Sequence, residues 1–273
     1  MPAQLRGDFE GKVGVVTGGS TGMGRATVLR LARDGARVVF CSNDAASVEA
    51  MSNECRDEGL ETTGLVADVA VGADMEGVMA EAVSRYGGID VLANCAGVQK
   101  YGTVVETDEP TWDLVMAVNV KGNYLASKYA IPEMRKRGGG SIVHISSVQG
   151  QACQTRVAAY AASKGAVNAM TRAMALDHAA DHIRVNAVLP GSVDTPMLRA
   201  SAELFKGERS AEELVQEWGS YHPLGRALGR PCTAGEVAEL IAFLLSDRAS
   251  YISGAEFRAD GALLAAAPVP LSE

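Results

Sequence analysis

The chain contains few cysteines, few aromatic residues and no long hydrophobic run, and each shortage limits what the protein can be. Its five cysteines are odd in number, irregularly spaced and lack a CxxC pair, which argues against a disulfide framework or a zinc site. No apolar run approaches the roughly 18 residues needed to cross a membrane, and charged residues near the N-terminus argue against a signal peptide. We therefore expect a cytoplasmic protein without a metal ion and without a membrane partner.

Basic charge is also scarce. The 273 residues include 25 Lys and Arg against 33 Asp and Glu, which gives a net charge of −8. Such a chain offers no broad basic surface, so nucleic acid is not an expected partner. Apolar residues make up 47% of the chain, which is typical of a globular domain that can bury a large core.

Short apolar runs alternate with amphipathic stretches along the chain. The pattern predicts strands at 12–17, 37–41, 61–67, 89–94, 142–146, 183–189 and 257–259, and helices at 21–34, 45–58, 74–85, 111–136, 156–180 and 234–245. Strands that alternate with helices favour a parallel sheet covered on both faces, and right-handed crossovers make such a sheet doubly wound. We predict an α/β protein, with a single-domain, doubly wound, Rossmann-like parallel sheet spanning residues 1–273.

One segment, residues 192–229, interrupts this alternation. It contains Pro196, Pro223, several glycines and two predicted short helices. Insertions near the end of a parallel sheet usually form a pocket wall, so we predict a small substrate lid here. The last six residues, 268–273, have the composition of a tail.

A glycine-rich turn follows the first predicted strand and opens the first predicted helix. Its glycines allow a tight turn and close approach of the backbone to a phosphate, and the helix N-terminus favours a pyrophosphate. We predict that a dinucleotide is bound here by Gly18, Ser20, Thr21, Gly22, Met23 and Gly24.

The same turn also matches the Gly-x-Ser-x-Gly elbow of a serine hydrolase, with Ser20 as the nucleophile. This remote alternative is disfavoured because an elbow needs strands before it, and here the turn follows the first strand. No histidine among His144, His178, His182 and His222 stands out as a late triad partner with an acidic residue ahead of it.

A second candidate site consists of Ser147, Tyr160 and Lys164. Tyr160 and Lys164 are four residues apart and share one helix face, while Ser147 follows a strand at the edge where parallel sheets bind ligands. A free tyrosine has a pKa of about 10, and a neighbouring ammonium together with an oxidised nicotinamide ring would favour the phenolate. Tyr160 can then exchange a proton with an alcohol or carbonyl whose oxygen is also bound by Ser147.

As a set, the motifs resemble those of the short-chain dehydrogenase/reductase family over about residues 8–262. They are Thr17-Gly18-x-x-x-Gly22-x-Gly24, Asp68-Val69, Asn94-Cys95-Ala96-Gly97, Asn119, Ser147, Tyr160-x-x-x-Lys164, and Pro190-Gly191 with Thr195. The resemblance implies a catalytic tetrad of Asn119, Ser147, Tyr160 and Lys164. Asn119 would hold a helix bend and a water that connects Lys164 to solvent, and Lys164 would also bind the nicotinamide ribose.

The resemblance also implies further cofactor contacts and an assembly. The implied contacts come from Tyr160 and Lys164 and from Asp68, Val69, Asn94, Ala96, Gly97, Pro190, Gly191, Val193 and Thr195. A homotetramer would form through the long helices and the C-terminal helix and strand. Three departures from the family pattern stand out. Cys95 replaces an asparagine with little expected effect, Ala262 replaces a glycine in a local turn, and the third concerns the residues that select the cofactor.

The choice between NAD and NADP is read just after the second strand, where an acid accepts hydrogen bonds from the ribose 2′-OH and an arginine holds a 2′-phosphate. By the family resemblance, Ser42 stands where an NAD enzyme usually has Asp, and Asn43 stands where an NADP enzyme often has Arg. No residue from 42 to 47 is basic, and Asp44 would repel a phosphate. We therefore favour NAD over NADP.

These features predict an NAD(P)-dependent oxidoreductase that interconverts a secondary alcohol and its ketone. A sugar, a polyol, a hydroxy acid and a cyclic alcohol all stay open as substrates. Substrate contacts are expected from Ser147, Gln149, Gln154, Met197 and Tyr221. The alternative from another class is a protein of this fold that binds the dinucleotide as a regulator or scaffold, without turnover.

Overall fold

The computed structural model describes residues 7–265, so the tail predicted at 268–273 lies outside the described residues. The strands are β1 (Val13–Thr17), β2 (Arg37–Ser42), β3 (Thr62–Val66), β4 (Val91–Asn94), β5 (Gly140–Ile145), β6 (Ile183–Pro190), β7 (Val193–Asp194), β8 (Cys232–Thr233) and β9 (Glu256–Ala259). The α-helices are α1 (Gly22–Arg33), α2 (Ala45–Asp57), α3 (Gly72–Tyr86), α4 (Glu109–Met116), α5 (Gly122–Lys136), α6 (Ala158–Asp177), α7 (Pro196–Phe205), α8 (Ala211–Ser220), α9 (Pro223–Leu228) and α10 (Ala234–Leu245). Short 3₁₀ turns lie at Val148–Gly150, Ala179–Asp181, Asp247–Ala249 and Leu263–Ala265.

Seven strands form one parallel sheet in the order β3-β2-β1-β4-β5-β6-β9. The chain runs outward from β1 to β3 and then returns to place β4 on the other side of β1, so the winding direction reverses between β1 and β4. The carboxyl ends of strands at such a switch point are where ligands bind in this architecture. The predicted doubly wound α/β fold is confirmed.

Both faces of the sheet are covered by helices, which explains why its central strands are continuous apolar runs. Side chains of β1 alternate between the two faces, as the two-residue period of a strand requires. Val16 packs into a core with helices α1 and α10. Val15 packs into the opposite core with helices α3 and α5.

The single helix predicted at 111–136 is interrupted. The chain forms α4, then a π-helical turn at Ala117–Lys121, and then α5. Hydrophobic spacing does not detect this, because one widened turn leaves the helix axis continuous. Such π turns are frequent at functional sites, and Asn119 lies in the middle of this one.

The long helix predicted at 156–180 is shorter at both ends, since it begins at Ala158 and ends at Asp177. Arg156 cannot be its first residue because its φ is +62°, in the left-handed region that non-glycine residues rarely adopt. The Arg156 carbonyl accepts a 2.8 Å hydrogen bond from the Gly102 N–H, and Gly102 pairs with Val157. This pairing sets the start of α6 against the loop that follows β4.

Residues 192–229 contain three helices, α7, α8 and α9, rather than the two predicted. Strands β7 and β8 pair at the base of this segment, with Val193 opposite Cys232. Above them, Ala202 packs with Leu214 and Val215 in a small core of its own. The segment is therefore an ordered unit with its own packing.

His222 fastens this segment to the main sheet. Its Nε2 accepts a 3.1 Å hydrogen bond from the Ser192 N–H, and its Nδ1 donates to the Asp260 carbonyl at 2.7 Å.

Two kinds of feature are absent from residues 7–265. No helix there is long and apolar enough to cross a membrane, and no group of three or more His, Cys, Asp or Glu side chains is arranged to hold a metal ion.

Candidate active site

The glycine-rich turn between β1 and α1 is built by close approaches that exclude side chains. A Cβ atom placed on Gly24 would lie 2.0 Å from the Gly18 carbonyl oxygen, and one placed on Gly18 would lie 2.7 Å from the Ala96 Cα. Gly18 and Gly22 also have φ values of +61° and +54°. These three positions therefore require glycine.

The N-terminus of α1 suits an anion. Thr21 is the N-cap, and in the described structure its side chain makes no capping hydrogen bond and the first helical turn carries no acidic residue. The backbone N–H groups of that turn and the positive end of the helix dipole thus face the turn without a competing carboxylate. This turn fits the pyrophosphate of a dinucleotide.

A cleft of about 540 Å³ extends from this turn across the carboxyl ends of the strands. Of the cofactor residues predicted from sequence, it is lined by Gly18, Thr21, Gly22, Met23, Gly24, Ser42, Asn43, Asp68, Val69, Ala96, Gly97 and Thr195. A second cavity of about 470 Å³ is lined by Tyr160, Lys164, Pro190, Gly191, Val193 and again Thr195. Met23, Cys95, Gly97, Gln99, Thr195 and Met197 line both, so the two spaces share a wall.

Two of the predicted cofactor residues lie behind the cleft wall. Asn94 is 1% exposed, and its amide nitrogen lies 3.1 Å from His144 Nδ1. Ser20 is also buried, and its hydroxyl accepts a 2.9 Å hydrogen bond from Ser47. No histidine side chain in residues 7–265 is hydrogen-bonded to Ser20, so the serine hydrolase alternative has no support.

Ser147, Tyr160 and Lys164 all line the 470 Å³ cavity. Lys164 is 3% exposed; its Nζ donates a 2.8 Å hydrogen bond to the Ile145 carbonyl and lies 5.4 Å from the centroid of the Tyr160 ring. The Ser147 hydroxyl accepts a 3.1 Å hydrogen bond from the Gln149 N–H, which fixes its position at the end of β5. The predicted convergence of these three side chains on one cavity is observed.

Burial governs the protonation equilibria of Tyr160 and Lys164. Burial raises the pKa of Tyr160 to about 12, although the Ser147 hydroxyl opposes this increase. Burial also lowers the pKa of Lys164 to about 8. In the protein alone, desolvation of the phenolate therefore dominates the pKa of Tyr160, whereas the predicted fall concerns the enzyme with an oxidised nicotinamide bound.

Asn119 lies behind the cavity and does not line it. Its Oδ1 accepts from the Val98 N–H at 2.8 Å, and its Nδ2 donates to the Val98 carbonyl at 2.9 Å and to the Ser163 hydroxyl at 3.0 Å. Ser163 donates in turn to the Tyr160 carbonyl at 2.7 Å. Asn119 therefore connects the π turn to the helix that carries Tyr160.

The predicted substrate residues Ser147, Gln149, Gln154, Met197 and Tyr221 all line the 470 Å³ cavity. Sequence reasoning missed other wall residues, including Gln99, Tyr101, Arg156, Phe205 and Leu263. Tyr101 and Phe205 pack edge to face, with ring centroids 4.6 Å apart. No pattern in the sequence marks Tyr101, because the pairing of its loop with Val157 depends on tertiary structure.

Two of the departures from the family pattern, Cys95 and Ala262, have distinct structural effects. Cys95 fits into the shared wall, where burial raises its thiol pKa to about 12 and keeps it neutral. Ala262 has a φ of +69°, so the alanine is strained where a glycine would not be. The Asp260 carboxylate holds this turn by accepting from the N–H groups of Ala262 and Leu264.

The parallel sheet, the anion-binding turn and the buried Tyr–Lys pair define a dinucleotide-dependent oxidoreductase. Comparisons with known proteins agree. A family model described as enoyl-(acyl carrier protein) reductase matches residues 18–263. The 2-(S)-hydroxypropyl-CoM dehydrogenase 3 of Xanthobacter autotrophicus is 36% identical over 257 residues, which cover 94% of this chain and 98% of that protein.

Solved structures give the same result. The aldohexose dehydrogenase of Thermoplasma acidophilum superposes with a TM-score of 0.88 at 35% identity, covering 99% of this chain and 100% of that chain. An actinorhodin polyketide ketoreductase, solved with NADPH, gives a TM-score of 0.87 at 33% identity and covers 92% and 97% of the two chains. The chain belongs to the short-chain dehydrogenase/reductase family. It is an enzyme that interconverts an alcohol and its ketone with a nicotinamide dinucleotide.

Proposed function

We propose that the protein oxidises a secondary alcohol, or reduces its ketone, with Tyr160 as the general acid and base. The observation that carries this proposal is the convergence of Tyr160, Ser147 and Lys164 on a cavity that shares a wall with the dinucleotide cleft. A bound nicotinamide dinucleotide supplies the hydride exchange and, when oxidised, a positive ring charge. The residues of the chain then have only to orient the substrate and move one proton.

Each polar side chain has a distinct role in this proposal. Ser147 binds the substrate oxygen, and its fixed position at the end of β5 orients that oxygen toward Tyr160. Lys164 binds the nicotinamide ribose, and its ammonium stabilises the tyrosinate. Asn119 holds the π turn in which a water can connect Lys164 to solvent, because a widened turn leaves backbone carbonyls available.

We favour NAD as the cofactor. Ser42 and Asn43 line the cleft just after β2, and neither carries a charge that could hold a 2′-phosphate. Asp44 beside them accepts a 3.2 Å hydrogen bond from the Ser47 N–H as the N-cap of α2, so its negative charge stays near this site. Lys100 lines the cleft as well, but it follows β4, which is two strands away from β2. Turnover with NAD and NADP at equal concentration tests this preference.

The reaction is tested with a panel of secondary alcohols and ketones, by following the near-ultraviolet absorbance of the reduced nicotinamide. Oxidation or reduction by the wild type, lost in Tyr160→Phe, supports the proposal. A Tyr160→Phe variant that retains substantial activity would refute the acid–base role.

Three further features are proposed with the reaction. These are a single domain spanning residues 1–273, a cytoplasmic location and a homotetramer. The tetramer is supported by exposed apolar side chains on the long helices, including Trp112 on α4, Tyr124 on α5 and Leu176 on α6, which is 81% exposed. Light scattering during gel filtration gives the mass of the assembly, and a monomer at micromolar concentration would exclude the tetramer.

A further inference from the structure

Within the described residues, the wall of the substrate cavity contains basic side chains and no acidic ones, although the protein as a whole is acidic. Among residues 7–265 this wall carries two cationic side chains, Arg156 and Lys164, together with the hydrogen-bonded imidazole of His222, and no carboxylate. The chain as a whole has a net charge of −8. Lys164 is buried beside Tyr160 and belongs to the catalytic group, so Arg156 is the positive charge that the reaction itself does not use.

Arg156 is held in place by the backbone. Its left-handed conformation, with φ at +62°, is maintained by the 2.8 Å hydrogen bond from the Gly102 N–H to its carbonyl. Residues held in such conformations cluster at ligand sites. Arg156 precedes Tyr160 by four residues, so its side chain projects from the same short segment as the reacting phenol.

Arg156 already forms one ion pair, but this pair does not use all the N–H donors of its guanidinium. Its Nη1 donates to Glu106 at 3.0 Å, and the side chains of Arg156 and Glu106 are 53% and 46% exposed. Exposed pairs of this kind contribute little to stability. A guanidinium has five N–H donors, so several are left for a ligand in the cavity. Glu106 does not line the cavity wall, and its second oxygen accepts from the Thr103 N–H.

We propose that the substrate carries an anionic group, a carboxylate, sulfonate or phosphate, which Arg156 binds while the reacting carbon lies at Ser147 and Tyr160. This inference rests on the proposed function. The planar guanidinium matches such oxyanions with two parallel hydrogen bonds. The part of the substrate between the two ends packs against apolar wall residues, including Tyr101, Met197, Leu198 and Phe205.

Reduction of paired ketones tests the proposal. The probes are 4-oxopentanoate, 5-oxohexanoate and 6-oxoheptanoate, each compared with its methyl ester, and the sulfonate and phosphonate of the preferred length. We expect the wild type to prefer the best anion over its neutral partner by about tenfold or more in kcat/KM, as one charge-assisted hydrogen bond provides. Equal use of anions and neutral partners overturns the inference.

Variants of the two ion-pair partners separate recognition from a structural role. Arg156→Gln should raise KM for the anion by about tenfold or more while KM for the ester changes little, and Arg156→Lys should be intermediate. Glu106→Gln should lower KM for the anion, because it removes the competing carboxylate. If the pair only stabilises the loop, both variants impair acid and ester alike, and that outcome overturns the inference.

Calorimetric titration of the same acids and esters into the enzyme with its dinucleotide separates this inference from the reaction. Tight acid binding that depends on Arg156, with no turnover of any ketone, supports the anion site and overturns the proposed reaction. Turnover of neutral ketones with acid binding unaffected by Arg156→Gln supports the reaction and overturns the anion site.

Discussion

The Lys164 ammonium faces the ring of Tyr160, with its nitrogen 5.4 Å from the ring centroid, while its hydrogen bond goes to the Ile145 carbonyl. An ammonium over an aromatic face is attracted by the ring quadrupole. The arrangement therefore buries a charge against a neutral phenol, and stabilises the phenolate once a proton has left. The first two predictions concern these two residues.

Removing the hydroxyl of Tyr160 should stop the reaction without weakening cofactor binding. We expect Tyr160→Phe to lower kcat by about 100-fold to 10,000-fold, since general acid–base catalysis contributes this much. The dinucleotide dissociation constant, measured by fluorescence titration, should change by less than about threefold. Tyr251→Phe is the control, because it removes a phenol hydroxyl that is fully exposed and does not line the cavity.

Burial of Lys164 should make stability depend on pH. Its pKa falls from 10.5 to about 8 in the folded protein, so between these values the unfolded chain binds more protons and stability rises with pH. Relative to Lys164→Met, the wild type should gain about 3 kcal/mol in free energy of unfolding as pH increases from 8 to about 10.5.

Urea unfolding of both proteins at several pH values in this window measures the difference. The raised pKa of Tyr160 is present in both proteins and largely cancels in the comparison. A constant difference between the two stability curves would contradict the burial of a charged lysine.

Cofactor preference should respond to changes after β2. Asn43→Arg should improve kcat/KM for NADP by about 10-fold to 100-fold, as a charge-assisted hydrogen bond to the 2′-phosphate allows. Asp44→Asn should give a smaller gain, because it removes the repelling charge while asparagine still caps α2. Values of kcat/KM with both cofactors measure this. If Asn43→Arg leaves the ratio of kcat/KM for NADP to that for NAD unchanged, the ribose 2′ group does not lie beside residue 43.

The strained turn at Ala262 should be relieved by glycine. With φ at +69°, we expect Ala262→Gly to raise the free energy of unfolding by about 0.5–1 kcal/mol, the balance between relieved strain and greater chain entropy. Ala200→Gly, in the exposed part of α7, is the control and should lower it by about 1 kcal/mol. Denaturant unfolding of the two variants should give opposite signs, and destabilisation by both would show that Ala262 is not strained.

Local signals made most of the sheet predictable from the sequence. Strand positions follow from short apolar runs, and the glycine turn is marked by positions such as Gly24, where a Cβ cannot be accommodated. Ser147, Tyr160 and Lys164 were predictable because the helical period and the strand end place them together.

Features that depend on tertiary contacts were not predictable. The π turn around Asn119 has no residue signature of its own, because its only effect on the apolar spacing is a local shift in phase. The positions of Tyr101 and Arg156 in the cavity wall follow from the pairing of Gly102 with Val157, which joins segments more than fifty residues apart in sequence. The rise in the Tyr160 pKa depends on how deeply the phenol is buried, and a sequence does not specify that depth.

The pairing of β7 with β8 has a consequence for how this enzyme can acquire new substrates. Val193 and Cys232 lie side by side, so the chain leaves the main body and returns to it at one place. A segment with adjoining ends can be exchanged for another of different length without altering the spacing of the strands beneath it. During evolution toward a new substrate, this segment can thus be replaced while Ser147, Tyr160 and Lys164 are retained.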